Sequence, residues 1–115
     1  MPDLVEKQKL ICQRFSANFM QCERDSKVGI ALQTIGQAPL HALRLKPEDG
    51  TCGWFIWAGE HSEAPDFFQS LHVEHLSEYV PDLLPYLGLE PGWRVLLANE
   101  YEDVWYDQNL LKLKG

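Results

Sequence analysis

The feature that most constrains the fold of this chain is a short, wholly apolar run, Trp54–Ala58, that lies between two glycines. Strong turn signals, Pro47 and the Asp49–Gly50 pair, precede it. An apolar run of this length is typical of a central strand. Such a strand is covered on both faces, or it is covered on one face and exposes an aromatic pair on the other. The run therefore predicts a β-sheet built around this segment.

Residues 3–25 have the apolar spacing of a helix. Apolar side chains recur at intervals of seven, four, four and three, at Leu4, Ile11, Phe15, Phe19 and Cys22. These intervals place them on one face of an α-helix, and no glycine or proline interrupts the chain between Asp3 and Lys27. We predict an amphipathic N-terminal helix that covers one face of the sheet.

Later segments have the patterns of strands and of a broken helix. Alternation or a compact apolar run predicts strands over residues 28–35, 40–45, 54–58, 93–98 and 102–106. Between the third and fourth of these the pattern is helical, and we expect one piece over residues 68–80 and a shorter one before Gly88, separated by prolines. The chain ends in a short tail from Asn109 to Gly115. This order predicts an α+β fold, a mostly antiparallel sheet of about five strands with an N-terminal helix and a central helical segment packed on it.

The length and composition predict one domain, residues 1–115, with its own core, because 45% of the 115 residues are hydrophobic. The three cysteines lack C-x-x-C spacing, which predicts reduced thiols in that core.

The N-terminus has neither the basic nor the apolar region of a signal peptide, and no apolar run approaches the roughly 20 residues of a membrane span. We expect a cytoplasmic protein that does not enter membranes.

Negative charge is concentrated in one part of the sequence. From Glu60 to Asp107 the chain carries eleven acidic residues and one basic residue, Arg94. Such a local field attracts a basic partner, and a pI near 4.9 argues against binding to nucleic acid. We predict a partner-binding surface of acids and interleaved rings at Glu60, Glu63, Asp66, Glu100, Tyr101, Glu102, Asp103 and Trp105. The alternative is that Trp105 faces the core and the charges remain in water.

A second candidate site is the segment from His72 to His75, which includes Glu74. Two histidines three residues apart on a helix can bind Zn²⁺ or another transition metal, but the zinc-protease motif H-E-x-x-H is absent. On a helical wheel both histidines fall within the apolar arc, which predicts buried histidines with a structural role. A ligand-binding or partner-contacting cluster and a metal site remain alternatives.

Motifs for nucleophilic catalysis and for phosphate binding are missing from the sequence. No serine lies in a G-x-S-x-G elbow, and no glycine-rich loop matches the phosphate-binding pattern. The remaining candidates for catalysis are a Cys52–His72 pair and two pairs of carboxylates, Glu102 with Asp103 and Glu60 with Glu63. We expect the carboxylates to form a solvated acidic face, and we predict no catalytic residues, no metal site and no cofactor.

Residues 53–111 contain the four blocks GWFIWAGE, DFFQSLHVEHL, LPYLGLEPGWRVLLA and YEDVWYD. Together these blocks resemble bacterial immunity proteins of polymorphic toxin systems, the immunity protein thirty-three-like domain. The resemblance implies a cytosolic protein that inhibits a cognate toxin by binding it. It implies no set of catalytic residues.

Three hypotheses of function follow. The first is a non-enzymatic immunity protein that neutralises a basic toxin domain through the acidic, aromatic surface. The second is a small metal- or ligand-binding enzyme centred on His72 and His75. The third is a scaffolding or regulatory subunit with an acidic docking face. The sequence leaves the oligomeric state open.

Overall fold

The computed structural model describes residues 3–112. Within that range one α-helix, α1 (Leu4–Arg14), precedes a six-stranded sheet. The strands are β1 (Lys27–Ile30), β2 (Leu40–Arg44), β3 (Thr51–Ala58), β4 (Gln69–His72), β5 (Trp93–Ala98) and β6 (Tyr101–Tyr106). Short 3-10 helices occur at Leu32–Thr34, Val73–Glu78, Pro81–Tyr86 and Gln108–Lys112. Residues 113–115 of the predicted tail lie outside the described residues. No helix of the described range is long and apolar enough to cross a membrane.

The strands follow the order β4-β1-β3-β2-β5-β6 across the sheet. β1 and β3 are parallel, and every other neighbouring pair is antiparallel. β3, which contains the apolar run Trp54–Ala58, lies inside the sheet between β1 and β2. The predicted α+β class with a mostly antiparallel sheet is confirmed, and the strand count is six instead of about five.

One face of the sheet, the helical face, packs against α1 and the 3-10 helices Val73–Glu78 and Pro81–Tyr86. Trp54 and Ile56 of β3 lie at the centre of this core and are fully buried. The indole N–H of Trp54 donates to the Leu87 carbonyl at 3.0 Å, so this buried polar group has a partner. The three cysteines are buried thiols without a disulfide, as predicted.

The sixth strand, β4, lies in the segment that was expected to be helical over residues 68–80, so that prediction is wrong for residues 69–72, whereas residues 73–78 form a 3-10 helix. Residues 69–72 pair with β1. The Gln69 side chain fixes the entry to this strand, because it accepts from the Leu32 N–H at 3.0 Å and donates to the Asp66 carbonyl at 2.8 Å. The expected proline interruption is present, since Pro81 begins the second 3-10 helix of this segment.

The N-terminal helix ends at Arg14 instead of at residue 25. Ser16 has a φ of 57°, in the left-handed region. Its N–H donates to the Gln13 carbonyl at 3.2 Å, and the Ala17 N–H donates to the Cys12 carbonyl at 2.8 Å. This is a Schellman motif, in which glycine is the usual left-handed residue. Because serine occupies the position, the sequence carries no obvious stop signal there.

β1 is also shorter than predicted, since it ends at Ile30 instead of at residue 35. The chain then enters the 3-10 helix Leu32–Thr34, and the Thr34 hydroxyl fixes that turn. The hydroxyl donates to the Ala31 carbonyl at 2.8 Å and accepts from the Ala58 N–H at 2.9 Å. A buried hydroxyl with two partners therefore attaches this turn to the end of β3.

Arg44 is a charged residue inside the core, with 1% of its surface exposed. Its Nε donates to the Cys52 carbonyl at 2.8 Å, and its Nη1 lies 2.8 Å from the carbonyls of Met20 and Leu89 and 3.4 Å from that of Leu87. A buried charge is tolerated when hydrogen bonds replace its hydration. One side chain thus joins β3 to two irregular segments of the helical layer.

Candidate functional site

The face of the sheet opposite α1, which we call the open face, is the candidate functional surface. Directly opposed residues of paired strands point to the same side of a sheet, so the strand registers assign its side chains. One row contains Trp57, His41, Leu96 and Asp103, and the next contains Phe55, Leu43, Arg94 and Trp105. Tyr101 lies at the end of β6 on the same side. The apolar run of β3 is therefore covered by helices on one face and directs an aromatic pair to the other.

An aromatic cluster around Trp57 covers part of the open face. The His41 ring stacks on Trp57, with ring centres 4.9 Å apart and planes at 13°, and His61 meets it edge-on at 5.1 Å. Phe67 and Phe68 join the cluster from the segment that follows β3. Trp57 and Phe67 are almost fully buried as a result. The cluster anchors the loop after β3 to the sheet and so positions the acids that this loop carries.

The environment of His41 favours the neutral form of its ring. Burial lowers the pKa of His41, and the positive charge of Arg94 and the nearby His61 lower it further. A neutral ring can stack on Trp57 without the cost of burying a charge.

The predicted contact residues that follow β3 and those that follow β5 lie at the same end of the sheet, which we call the acidic end. β3 and β5 both run antiparallel to β2, and Ala58 and Leu97 both pair with Leu40. At the usual strand spacing the two chain exits lie roughly 10 Å apart. In residues 3–112 the exposed carboxylates that follow these exits have no basic partner. They belong to Glu60, Glu63, Asp66 and Glu100.

β6 distributes the remaining predicted contact residues over both faces. Tyr101, Asp103 and Trp105 lie on the open face and are exposed, so the alternative of a core-facing Trp105 is wrong. The Arg94 guanidinium lies 5.6 Å from the centre of the Trp105 ring, and Arg94 is held in turn by Asp107 at 3.3 Å. A cation–π contact and an ion pair therefore restrict the orientation of an exposed tryptophan.

Glu102 points to the helical face, where its carboxylate accepts from the Tyr86 hydroxyl and pairs with Arg14. Partial burial opposes ionisation, but the hydrogen bonds from Tyr86 and Arg14 outweigh it, so the pKa of Glu102 lies below its usual value. Burial and the Glu102 carboxylate raise the pKa of Tyr86 to about 12. Glu102 thus connects β6 to the helical layer, apart from the open-face residues with which the sequence grouped it.

Glu102→Gln is expected to destabilise the protein by about 1 kcal/mol at neutral pH, and the loss should shrink in acid. Because the pKa of Glu102 is lowered in the folded protein, the carboxylate stabilises the fold above its unfolded pKa. That contribution disappears as the pH falls through the folded pKa. Urea unfolding of both proteins from neutral pH to about pH 3 measures the difference. A difference that does not change with pH would contradict a role for the charge.

The histidine segment differs from its prediction. Val73–Glu78 is a 3-10 helix that directly follows β4, so the α-helical wheel does not apply, and His72, Glu74 and His75 are all exposed. The expectation of buried histidines is therefore wrong. The His75 ring lies 3.7 Å from Glu74 and 3.3 Å from Glu78, so it belongs to an exposed polar cluster with these two carboxylates. Within residues 3–112, no group of three or more His, Cys, Asp and Glu side chains is arranged to hold a metal ion.

Sequence reasoning did not single out His41 or Arg94 as members of a surface. Each of them lies in a segment that was predicted as a strand, so the alternation of side chains already showed which neighbours share a face. The missing information was which face the helices cover. Only the tertiary structure supplies it.

An α+β domain that presents an open sheet face, exposed rings and exposed acids has the features that protein-binding domains use. Residues 7–107 match the Imm33-like domain, and the chain belongs to this family of immunity proteins. The match begins in α1 and so extends well beyond the segment on which the resemblance rested. Searches of curated proteins and of solved structures returned no match.

Proposed function

We propose that this protein is a non-enzymatic immunity protein that binds and neutralises a cognate toxin domain. The observation that carries the proposal is one surface, the open face with the acidic end, in a member of the Imm33-like domain family. This surface combines exposed rings with carboxylates that have no basic partner within residues 3–112. Binding to this surface is the proposed mode of action.

The exposed rings support a protein partner. Tyr101 and Trp105 keep 54% and 36% of their surface exposed on a regular strand. Tyrosine and tryptophan are frequent interface anchors because they bury a large area and lose few rotamers. Trp105 is also held by Arg94, so little further ordering is required when a partner binds.

The unpaired acids support a basic partner. Asp103 lies beside Trp105 on the open face, and Glu100 lies in the turn that precedes β6. Carboxylates without an internal partner steer a positively charged surface towards them and speed its association. A toxin whose active site binds an anionic substrate presents such a surface. In the cytoplasm of the producing cell, the immunity protein would occupy that site and exclude the substrate without any chemical step of its own.

The test begins with capture of the partner from an extract of the producing bacterium on the immobilised protein, followed by identification of the retained proteins by mass. We expect one basic toxin domain, bound with a nanomolar Kd. Co-expression of the immunity protein with that domain should restore the growth that the domain alone abolishes. A domain that binds but stays toxic in the presence of excess immunity protein would contradict neutralisation.

A further inference from the structure

Among the described residues, 3–112, β6 forms an unpaired edge of the sheet. It is the last strand in the order, and β5 is the strand with which it pairs. It has six residues in unbroken register and contains neither proline nor lysine. Edge strands are commonly protected from pairing by such residues, by bulges or by short length, and the opposite edge, β4, has only four residues. β6 is therefore the edge that is better suited to accept another strand.

The hydrogen-bond pattern shows which backbone groups of β6 face outward. The Asp107 N–H donates to the Gly92 carbonyl at 2.7 Å, and residues of an antiparallel strand alternate between facing the neighbour and facing away. The N–H and C=O groups of Asp103 and Trp105 accordingly face β5. Within residues 3–112 the outward groups make no hydrogen bond. They belong to Glu102, Val104 and Tyr106.

The side chains along this edge place large rings on both sides of it. Tyr101 and Trp105 lie on the open face, and Tyr106, which is 46% exposed, lies on the helical face. An added strand would cover rings on both faces of the sheet, whereas a partner that touched only the open face would leave Tyr106 in water. The exposed rings and the free backbone groups thus identify the same edge as an interface.

The free charge on β6 determines the chemistry of its occupant. Glu102 is paired with Arg14, but Asp103 has no basic partner within residues 3–112. β6 itself contains no basic residue. Two copies of β6 paired edge to edge would bring together strands of the same negative charge. A strand with lysine or arginine opposite Asp103 would instead gain a favourable cross-strand pair.

We propose that the toxin adds a strand with basic side chains to β6 and so extends the sheet from six strands to seven. This inference rests on the proposed function, because the occupant is the toxin. Backbone hydrogen bonds to Val104 and Tyr106 hold the added strand, and its basic side chain opposite Asp103 selects the partner.

Val104→Pro tests the backbone contact directly. Proline removes the outward N–H, and it is tolerated on a sheet edge where that N–H faces solvent. Val104→Ala is the matched control, because it removes the side-chain contacts and keeps the N–H. With the captured toxin domain as the ligand, we expect the proline variant to raise the Kd about tenfold or more and the alanine variant less than about threefold. A folded proline variant with the Kd of the alanine variant would overturn the inference.

Amide hydrogen exchange followed by NMR provides a second test that does not depend on the folding of a variant. In the free protein, the amides of Glu102, Val104 and Tyr106 should exchange fast and those of Asp103 and Trp105 slowly. Binding of the toxin domain should slow the fast set and leave the slow set little changed. An unprotected fast set in the saturated complex would overturn strand addition.

Failure of this inference can be distinguished from failure of the proposed function. If the wild type binds and neutralises the toxin domain but both edge tests are negative, only the strand addition is overturned. If the domain that the wild type retains stays toxic, the proposed function fails. The inference then fails as well, because it names the neutralised toxin as the occupant of β6. A wild type that sediments as a dimer, which Val104→Pro dissociates, would make a second copy the occupant and would also overturn the proposal.

Discussion

Replacement of Arg44 by methionine is expected to lower the free energy of unfolding by about 3–5 kcal/mol. Methionine keeps much of the apolar stem but cannot donate to the carbonyls of Met20, Cys52 and Leu89. A buried polar group without a partner costs about 1–3 kcal/mol. Removal of the charge recovers its desolvation cost, but three carbonyls that lose this donor together outweigh that gain. Urea unfolding followed by circular dichroism measures the loss.

Arg44→Lys is the matched control for this prediction. Lysine keeps the charge, but its single ammonium cannot reach carbonyls on both sides of the core as the guanidinium does. We expect the lysine variant to lie between the wild type and the methionine variant in stability. A methionine variant as stable as the wild type would show that the four hydrogen bonds of Arg44 only compensate for the burial of its charge.

The position of Arg44 explains one limit of prediction from sequence. In β2 the alternating sets are Leu40, Ala42 and Arg44 on one side and His41 and Leu43 on the other. Hydrophobicity alone does not decide which set faces the core, because each contains leucine and one ionisable residue. The guanidinium can be buried only because carbonyls from distant segments converge on it. Such convergence is a property of the tertiary structure and leaves no local pattern.

The secondary structure was predictable where a local pattern and a turn signal agree. The strands at β2, β3, β5 and β6 lie where alternation or an apolar run predicted them. β4 was missed because a four-residue strand followed by 3-10 turns has too few residues to establish a period. The N-terminal helix was predicted too long because later apolar residues, such as Phe19, have helix-like spacing in the sequence. In the structure they pack on the core from an irregular segment.

The sequence could suggest which residues belong to the candidate site, but it could not show which of them lie together. The sequence identified the acids and rings, and alternation already separated Glu102 from Asp103. It did not reveal that Glu102 meets Tyr86 and Arg14, because these contacts span 16 and 88 positions of the chain. Nor did it reveal that the loop after β3 and the turn after β5 leave the sheet together. That proximity comes from the placement of β2 between the two strands.

Trp105→Ala is expected to weaken toxin binding by about 2 kcal/mol or more, which corresponds to a Kd roughly 30 times higher. The ring lies on the open face, restrained by Arg94, so its area is available to a partner, and under the proposed function it acts as an anchor. Because the ring is exposed on an edge strand, its removal should change the free energy of unfolding by less than about 1 kcal/mol. Calorimetric titration with the captured toxin domain gives the Kd, and urea unfolding checks the fold.

Charge reversal and a matched aromatic control separate the two contributions of this surface. Asp103→Lys should slow association and weaken its dependence on salt, because under the proposed function Asp103 steers a basic partner, whereas Trp105→Ala should act mainly on dissociation. Tyr79→Ala removes a ring of similar exposure, 43%, outside the open face, so it should leave the Kd within about twofold. If Tyr79→Ala weakened binding as much as Trp105→Ala, or if Trp105→Ala had no effect, the toxin would bind elsewhere. Stopped-flow association at two salt concentrations separates the contribution of Asp103 from that of Trp105. Steering by an exposed charge falls with ionic strength, whereas anchoring by a ring that becomes buried in the complex does not.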